Sequence, residues 1–170
     1  GSEMCIRDRY YAQACDRAEK GGGIKPEVAR AALNNMNVNK TGGVPSMFVW
    51  YLGMRLRLKI KILATRKIMQ DATGMVVGFD VHPWEPPIPP RASVHKLTYL
   101  PRAIYMEFDD EEAWTVEIPY NPRAPRNPKR KEKVDPPKPG EPDTRKRRVV
   151  VITPTAGTSW ELKLPYRDPM

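Results

Sequence analysis

From Met54 to Ile62 apolar and cationic residues alternate without a break: Met54, Leu56, Leu58, Ile60 and Ile62 are separated by Arg55, Arg57, Lys59 and Lys61. A period of two belongs to an extended chain, whose side chains point alternately to opposite faces. The stretch therefore predicts a strand with one buried face and one wholly cationic face. Gly74–Val81 reads as a second strand, with Gly74 and Gly78 as bends or bulges. Arg102–Phe108 and Glu112–Ile118 read as a third and fourth, joined by a hairpin turn at Asp109-Asp110-Glu111. Arg148–Thr153 and Ser159–Leu164 read as a fifth and sixth, around a turn at Pro154–Gly157. Short strands with turn signals between them predict a mainly β chain closed into a small twisted barrel. Helix-forming composition is confined to Tyr10–Lys20, stopped by Gly21-Gly22-Gly23, and to Pro26–Met36, with proline in its first turn. Two short helices are thus expected ahead of the barrel, and a loop at Asn34–Gly43.

Charge is concentrated rather than spread. Pro119–Arg148 holds eight Pro, and its eleven Lys and Arg against four Asp and Glu supply +7 of the chain's formal +9. A Pro-rich, charged, aromatic-poor stretch buries too little apolar surface to offset its ordering entropy, so a disordered basic loop is expected there. Its clusters Lys129-Arg130-Lys131 and Arg145-Lys146-Arg147-Arg148 suit phosphate contact or nuclear import, or simply keep a solvated loop soluble. Pro83–Pro90, with five Pro in eight residues, reads as a stiff extended loop. The longest apolar run, Met47–Leu52, is six residues, far short of the roughly 20 a spanning helix needs, so no membrane partner is expected. Two Cys and two isolated His give neither a disulfide framework nor the paired spacing of a zinc site.

Motifs for catalysis are missing. There is no phosphate loop and no nucleophile elbow, and Gly21-Gly22-Gly23-Ile24-Lys25 lacks both the spacing and a preceding strand. His82 and His95 read as structural, Asp109–Glu112 as a solvated hairpin tip, and Cys15 as a small hydrophobe. What remains is the cationic strand. Arg55, Arg57, Lys59 and Lys61 repel one another and so are either well solvated or matched by an anion. Among the nearby aromatics Phe48, Trp50 and Tyr51, either the rings fill the core or one of them stacks bases beside a basic groove. The four cations are candidate phosphate contacts, and Trp50 is the candidate stacking residue.

Gly1–Arg9, Gly-Ser-Glu-Met-Cys-Ile-Arg-Asp-Arg, resembles the translation of a transposon mosaic-end sequencing adapter. It is set aside from fold reasoning, and a reading frame cut on its N-terminal side is the expectation. The expected division is then 1–9 adapter, 10–43 helical lead-in and loop, 44–118 first part of the barrel, 119–148 insertion, and 149–170 last strands.

Four segments occur in a telling order: Lys40-Thr41-Gly42-Gly43-Val44-Pro45-Ser46, Tyr51-Leu52-Gly53-Met54-Arg55-Leu56-Arg57-Leu58, Gly74-Met75-Val76-Val77-Gly78-Phe79, and Leu100-Pro101-Arg102-Ala103-Ile104-Tyr105-Met106-Glu107-Phe108-Asp109. Together they resemble the C-terminal part of Pif-type DNA helicases, including those of Helitron transposons, and most closely divergent protist copies of dinoflagellate type. His82-Pro83-Trp84-Glu85-Pro86 and Thr158-Ser159-Trp160-Glu161-Leu162 resemble further segments of that family. The resemblance implies an accessory 2B region, a barrel like a Src-homology-three domain. It would contact single-stranded DNA and serve motor domains of the same parent chain, in the nucleus. ATP and Mg belong to those motor domains. The chain lacks their motifs, so no catalysis and no cofactor are expected within it. An alternative is a standalone β-barrel interaction module that recruits a protein partner through its Pro-rich basic loop.

Overall fold

A computed structural model describes residues 8–13, 15–17, 47–59, 63–88, 94–131, 135–154, 157–159 and 164–168. The chain is mainly β. Its strands are β1 (Arg9–Gln13), β2 (Cys15–Arg17), β3 (Met47–Trp50), β4 (Arg55–Arg57), β5 (Thr73–Asp80), β6 (Val94–Lys96), β7 (Ala103–Phe108), β8 (Val116–Pro119), β9 (Lys146–Ile152), β10 (Gly157–Ser159) and β11 (Leu164–Asp168). They fall into two compact units. One draws on Gly1–Trp50, Asp80–Ala103 and Thr153–Met170, the other on Tyr51–Phe79 and Ile104–Ile152. No helix among the described residues is long and apolar enough to cross a membrane.

The second unit is a five-stranded sheet of order β4-β5-β7-β9-β8. The order follows from which strands tolerate burial on both faces. Residues 74–77 of β5 and five of the six residues of β7 are buried, and Val149 and Val150 of β9 are almost inaccessible. The edge strands β4 and β8 are largely exposed. Arg55 and Arg57 on one edge, and Pro119 without an N–H on the other, discourage pairing with a further strand. On one face Met75, Val77 and Val149 pack with Ala124, with Leu52, Tyr105 and Ile118 around them. Gly74 is required by close approach: a Cβ there would lie 2.8 Å from the Glu107 carbonyl oxygen of the neighbouring strand. Gly53, at φ 91°, makes the turn into β4.

Three sequence expectations change here, the closed barrel among them. The alternation is present, with Arg55, Arg57 and Lys59 exposed and Leu58 buried, but the strand itself is only Arg55–Arg57, and 60–62 lie outside the described residues. The hairpin at 109–111 does not form. The more apolar β9 takes the interior place beside β7 and leaves the polar β8 at the edge, antiparallel to β9 with Glu117 opposite Arg148. Among the described residues the five strands form an open sheet with β4 and β8 as its edges.

The first unit contains two three-stranded sheets, β3-β1-β6 and β10-β11-β2. The helix expected over 10–20 is replaced, in its described part, by β1 and β2. Tyr10 and Tyr11 are strong strand formers, and pairing overrides the helical bias of the alanines around them. β1 runs antiparallel to β3 with Tyr10 opposite Trp50, and parallel to β6 with Tyr10 opposite His95. The rings follow that register: Tyr10 stacks on His95 at 4.8 Å and on Trp50 at 6.0 Å. The expected helix at 26–36 and the loop at 34–43 lie outside the described residues.

Candidate nucleic-acid interface

The cationic strand does not present a uniform face. Arg55 reaches across its sheet edge to Asp109, just past β7, in a two-pronged ion pair with Nη1 donating to Oδ1 at 2.7 Å and Nη2 donating to Oδ2. Thr73 Oγ1 donates to the same carboxylate at 2.7 Å. Asn127, fully buried, completes the joint. Its Nδ2 donates to Asp109 Oδ1 and to the Glu107 carbonyl, both at 3.1 Å. Its Oδ1 accepts from the Lys129 amide at 3.0 Å and from Arg55 Nη1 at 3.3 Å. Both donors and both acceptor positions of one buried amide are thereby used. Arg55, first, with Thr73 and Asn127 behind it, holds the Asp109 carboxyl at about 2, below its ordinary 3.8.

This clamp fastens the start of the segment expected to be disordered. Residues 120–131 lie on the five-stranded unit, with Ala124 in the core and Asn127 and Arg130 buried. Arg130 Nε donates to the Phe108 carbonyl at 2.7 Å, and the Lys131 amide to Glu111 at 2.9 Å. The acidic run is likewise a set of joints. Glu112 lies 2.7 Å and Asp110 3.7 Å from Lys67 Nζ.

Beside β9 the same unit carries a cleft of about 240 Å³, lined by Arg126, Arg130, Lys146, Arg147 and Arg148, with Tyr120, Glu107 and Glu117. Five cations face two carboxylates, and both carboxylates are engaged. Arg147 Nε lies 3.5 Å from Glu107 Oε2 with both side chains nearly buried, and Arg148 Nε lies 3.3 Å from Glu117 Oε1. Arg130 makes no ion pair among the described residues; its bonds run to carbonyls. Tyr120 braces the cleft, with the guanidinium carbons of Arg145 and Arg147 at 4.1 and 4.4 Å from its ring centre. Arg148 also lies over Trp114, at 5.0 Å. Closely spaced, pre-oriented guanidiniums with excess positive charge are what a phosphate chain needs.

The candidate residues of the sequence are therefore dispersed. Arg55 is in the clamp. Arg57 and Lys59 are exposed and make no ion pair among the described residues, and Lys61 lies outside them. Trp50 belongs to the first unit, where it is fully buried between Tyr10 and Phe48, out of reach of a base. Arg130 and Arg147 belong to the two basic clusters that the sequence suits to phosphate contact, whereas Arg126 carries no signal of its own within a stretch whose proline and charge content argues for disorder. No protein-family model, curated protein or solved structure matches the chain.

Proposed function

We propose that the chain is the accessory β-region of a Pif-type or Helitron-like DNA helicase, corresponding to the family's Src-homology-three-like barrel. It grips single-stranded DNA for ATP- and Mg-dependent motor domains elsewhere in the same parent chain, in the nucleus. The observation that supports this most is the cleft beside β9, where five cations face two carboxylates. The phosphate contacts of this reading are Arg126, Arg130 and Lys146, with Arg57 and Lys59 as an outlying cationic edge. Arg55, engaged by Asp109, is a structural residue in it. The test is binding of a labelled oligodeoxythymidine across a salt series. Neutralising three phosphates gives a log–log slope of roughly −2, since each contributes about −0.7 on a single strand. A flat salt dependence, or no binding at the lowest salt, overturns the proposal.

A second reading has one observation in its favour. Residues 135–144 are exposed throughout and include Pro136, Pro137, Pro139 and Pro142. Such a segment fits an aromatic-lined groove on a partner protein. Replacing Pro136, Pro137 and Pro139 with Ala would then abolish partner capture without changing oligonucleotide binding.

A further inference from the structure

Trp84 is 73% exposed, the most open large hydrophobic side chain among the described residues. It is nonetheless held firmly. Its backbone N–H donates to His82 Nδ1 at 3.1 Å, and the Glu85 N–H to the His82 carbonyl at 2.9 Å. Pro83 and Pro86 flank this turn and restrict it further. The Glu85 carboxylate accepts three bonds, two from the Thr98 amide at 2.9 and 3.1 Å and one from the Tyr99 amide at 2.9 Å. That ties the turn to a second segment of the same unit. His82 and Tyr99 stack on each other at 4.8 Å, and the indole meets both rings edgewise, at 5.3 Å and 65° and at 6.2 Å and 73°.

A rigidly braced indole left in water is poised for a flat partner. His82 and Tyr99 are closed against each other, so no slot between parallel rings exists to seat a proline. Neither ring lies parallel to the indole, so most of its surface stays open. The Glu85 carboxylate keeps its charge, but its oxygens are turned onto the Thr98 and Tyr99 amides. Glu85 and Thr98 also border a neighbouring cleft of about 310 Å³ with Lys96 in its wall. Lys96 is exposed and makes no ion pair among the described residues.

We propose that Trp84, braced by His82 and Tyr99, is a stacking platform for one unpaired nucleobase, with Lys96 beside it for the adjoining phosphate. The proposal rests on the single-strand reading above and adds the feature that distinguishes unpaired bases from a duplex. Every base has a π face, so the platform tolerates any sequence but requires that the base be unstacked from its own strand.

The test uses the full chain, with Trp84→Leu and Trp84→Phe as variants. The probes are an oligodeoxythymidine, an abasic oligomer of the same length and a duplex. Trp84→Leu weakens the oligodeoxythymidine by roughly 5- to 150-fold, the range for losing one base–aromatic stack. Trp84→Phe recovers most of that loss, and the abasic oligomer binds all three proteins alike. The salt slope is unchanged, because no charge is removed. The platform is overturned if Trp84→Leu binds the oligodeoxythymidine as tightly as the parent with a steep salt slope retained, or loses the abasic oligomer equally. It is equally overturned if Trp84 captures only a Pro-rich peptide. If the unaltered chain binds no oligomer at any salt, the cleft and the platform both fall.

Discussion

Two cationic regions of the five-stranded unit can be set side by side: the edge strand β4 and the cleft beside β9. In the chain the stretch that holds β4 is the purer of the two, four cations from Arg55 to Lys61 in strict alternation with no acid among them. In space it is the weaker. Arg55 is matched by Asp109, while Arg57 and Lys59 face solvent. The cleft is drawn from a stretch in which acids and prolines are interspersed. Even so, folding gathers five cations around two carboxylates and sets one of them, Arg147, over Tyr120. Charge along a chain is one-dimensional. What an anion meets depends on which counter-charges the fold brings to each cation.

The sharpest difference between the two regions is burial, and stability measures it. Arg147→Met removes the cation that sits beside Glu107 on a nearly buried face, which costs about 3–5 kcal/mol in denaturant unfolding. Arg57→Met, on the exposed strand, stays within about 0.5 kcal/mol of the parent. Equal stabilities for the two variants would mean that the cleft is no more built than the edge strand.

Asn127→Ala comes next. It removes the side-chain bonds to the Glu107 carbonyl and from the Lys129 amide and loosens the loop over the core, a loss of about 2 kcal/mol by the same measurement. An unchanged midpoint would return residues 120–131 to the status of a free loop.

A smaller effect comes from pH. Asp109 titrates at about 2 when folded against 3.8 ordinarily, so its contribution is fully present above pH 3.8 and is lost as pH falls from there through about 2. Solvent screens a pair whose arginine side chain is 41% exposed, so the loss is on the order of 1 kcal/mol. Asp109→Asn should remove that part of the acid sensitivity, which unfolding curves at successive pH values would reveal. If the variant keeps the full acid sensitivity, the carboxylate is not what the clamp depends on.

Particular residues show what was legible in the sequence. The β5 and β7 strands could be placed to within a residue or two because Met75-Val76-Val77 and Ile104 through Phe108 are apolar enough to demand an interior position. The neighbour of β7 could not. Hairpin logic weighs nearness in the chain, and the pairing was decided by Val149 and Val150, some forty residues further on. Tyr10 and Tyr11 carried a strand signal that the surrounding alanines masked. Asn127 and Asp109 gave none: each looks solvated on its own, and only a partner distant in sequence turns it into a joint. The same holds for the cleft, where Ala124 and Asn127 anchor a segment whose composition argues for disorder.

The most direct measurement pairs Lys146→Glu, in the cleft, with Arg57→Glu, on β4. Both are exposed and both change the charge by the same amount. Oligodeoxythymidine affinity is measured for each across a salt series. If the cleft is the grip, Lys146→Glu weakens binding at low salt and flattens the log–log slope by about 0.7 or more, whereas Arg57→Glu changes both far less. Equal losses from the two variants, or a larger loss from Arg57→Glu, would contradict it and return the binding face to the alternating strand.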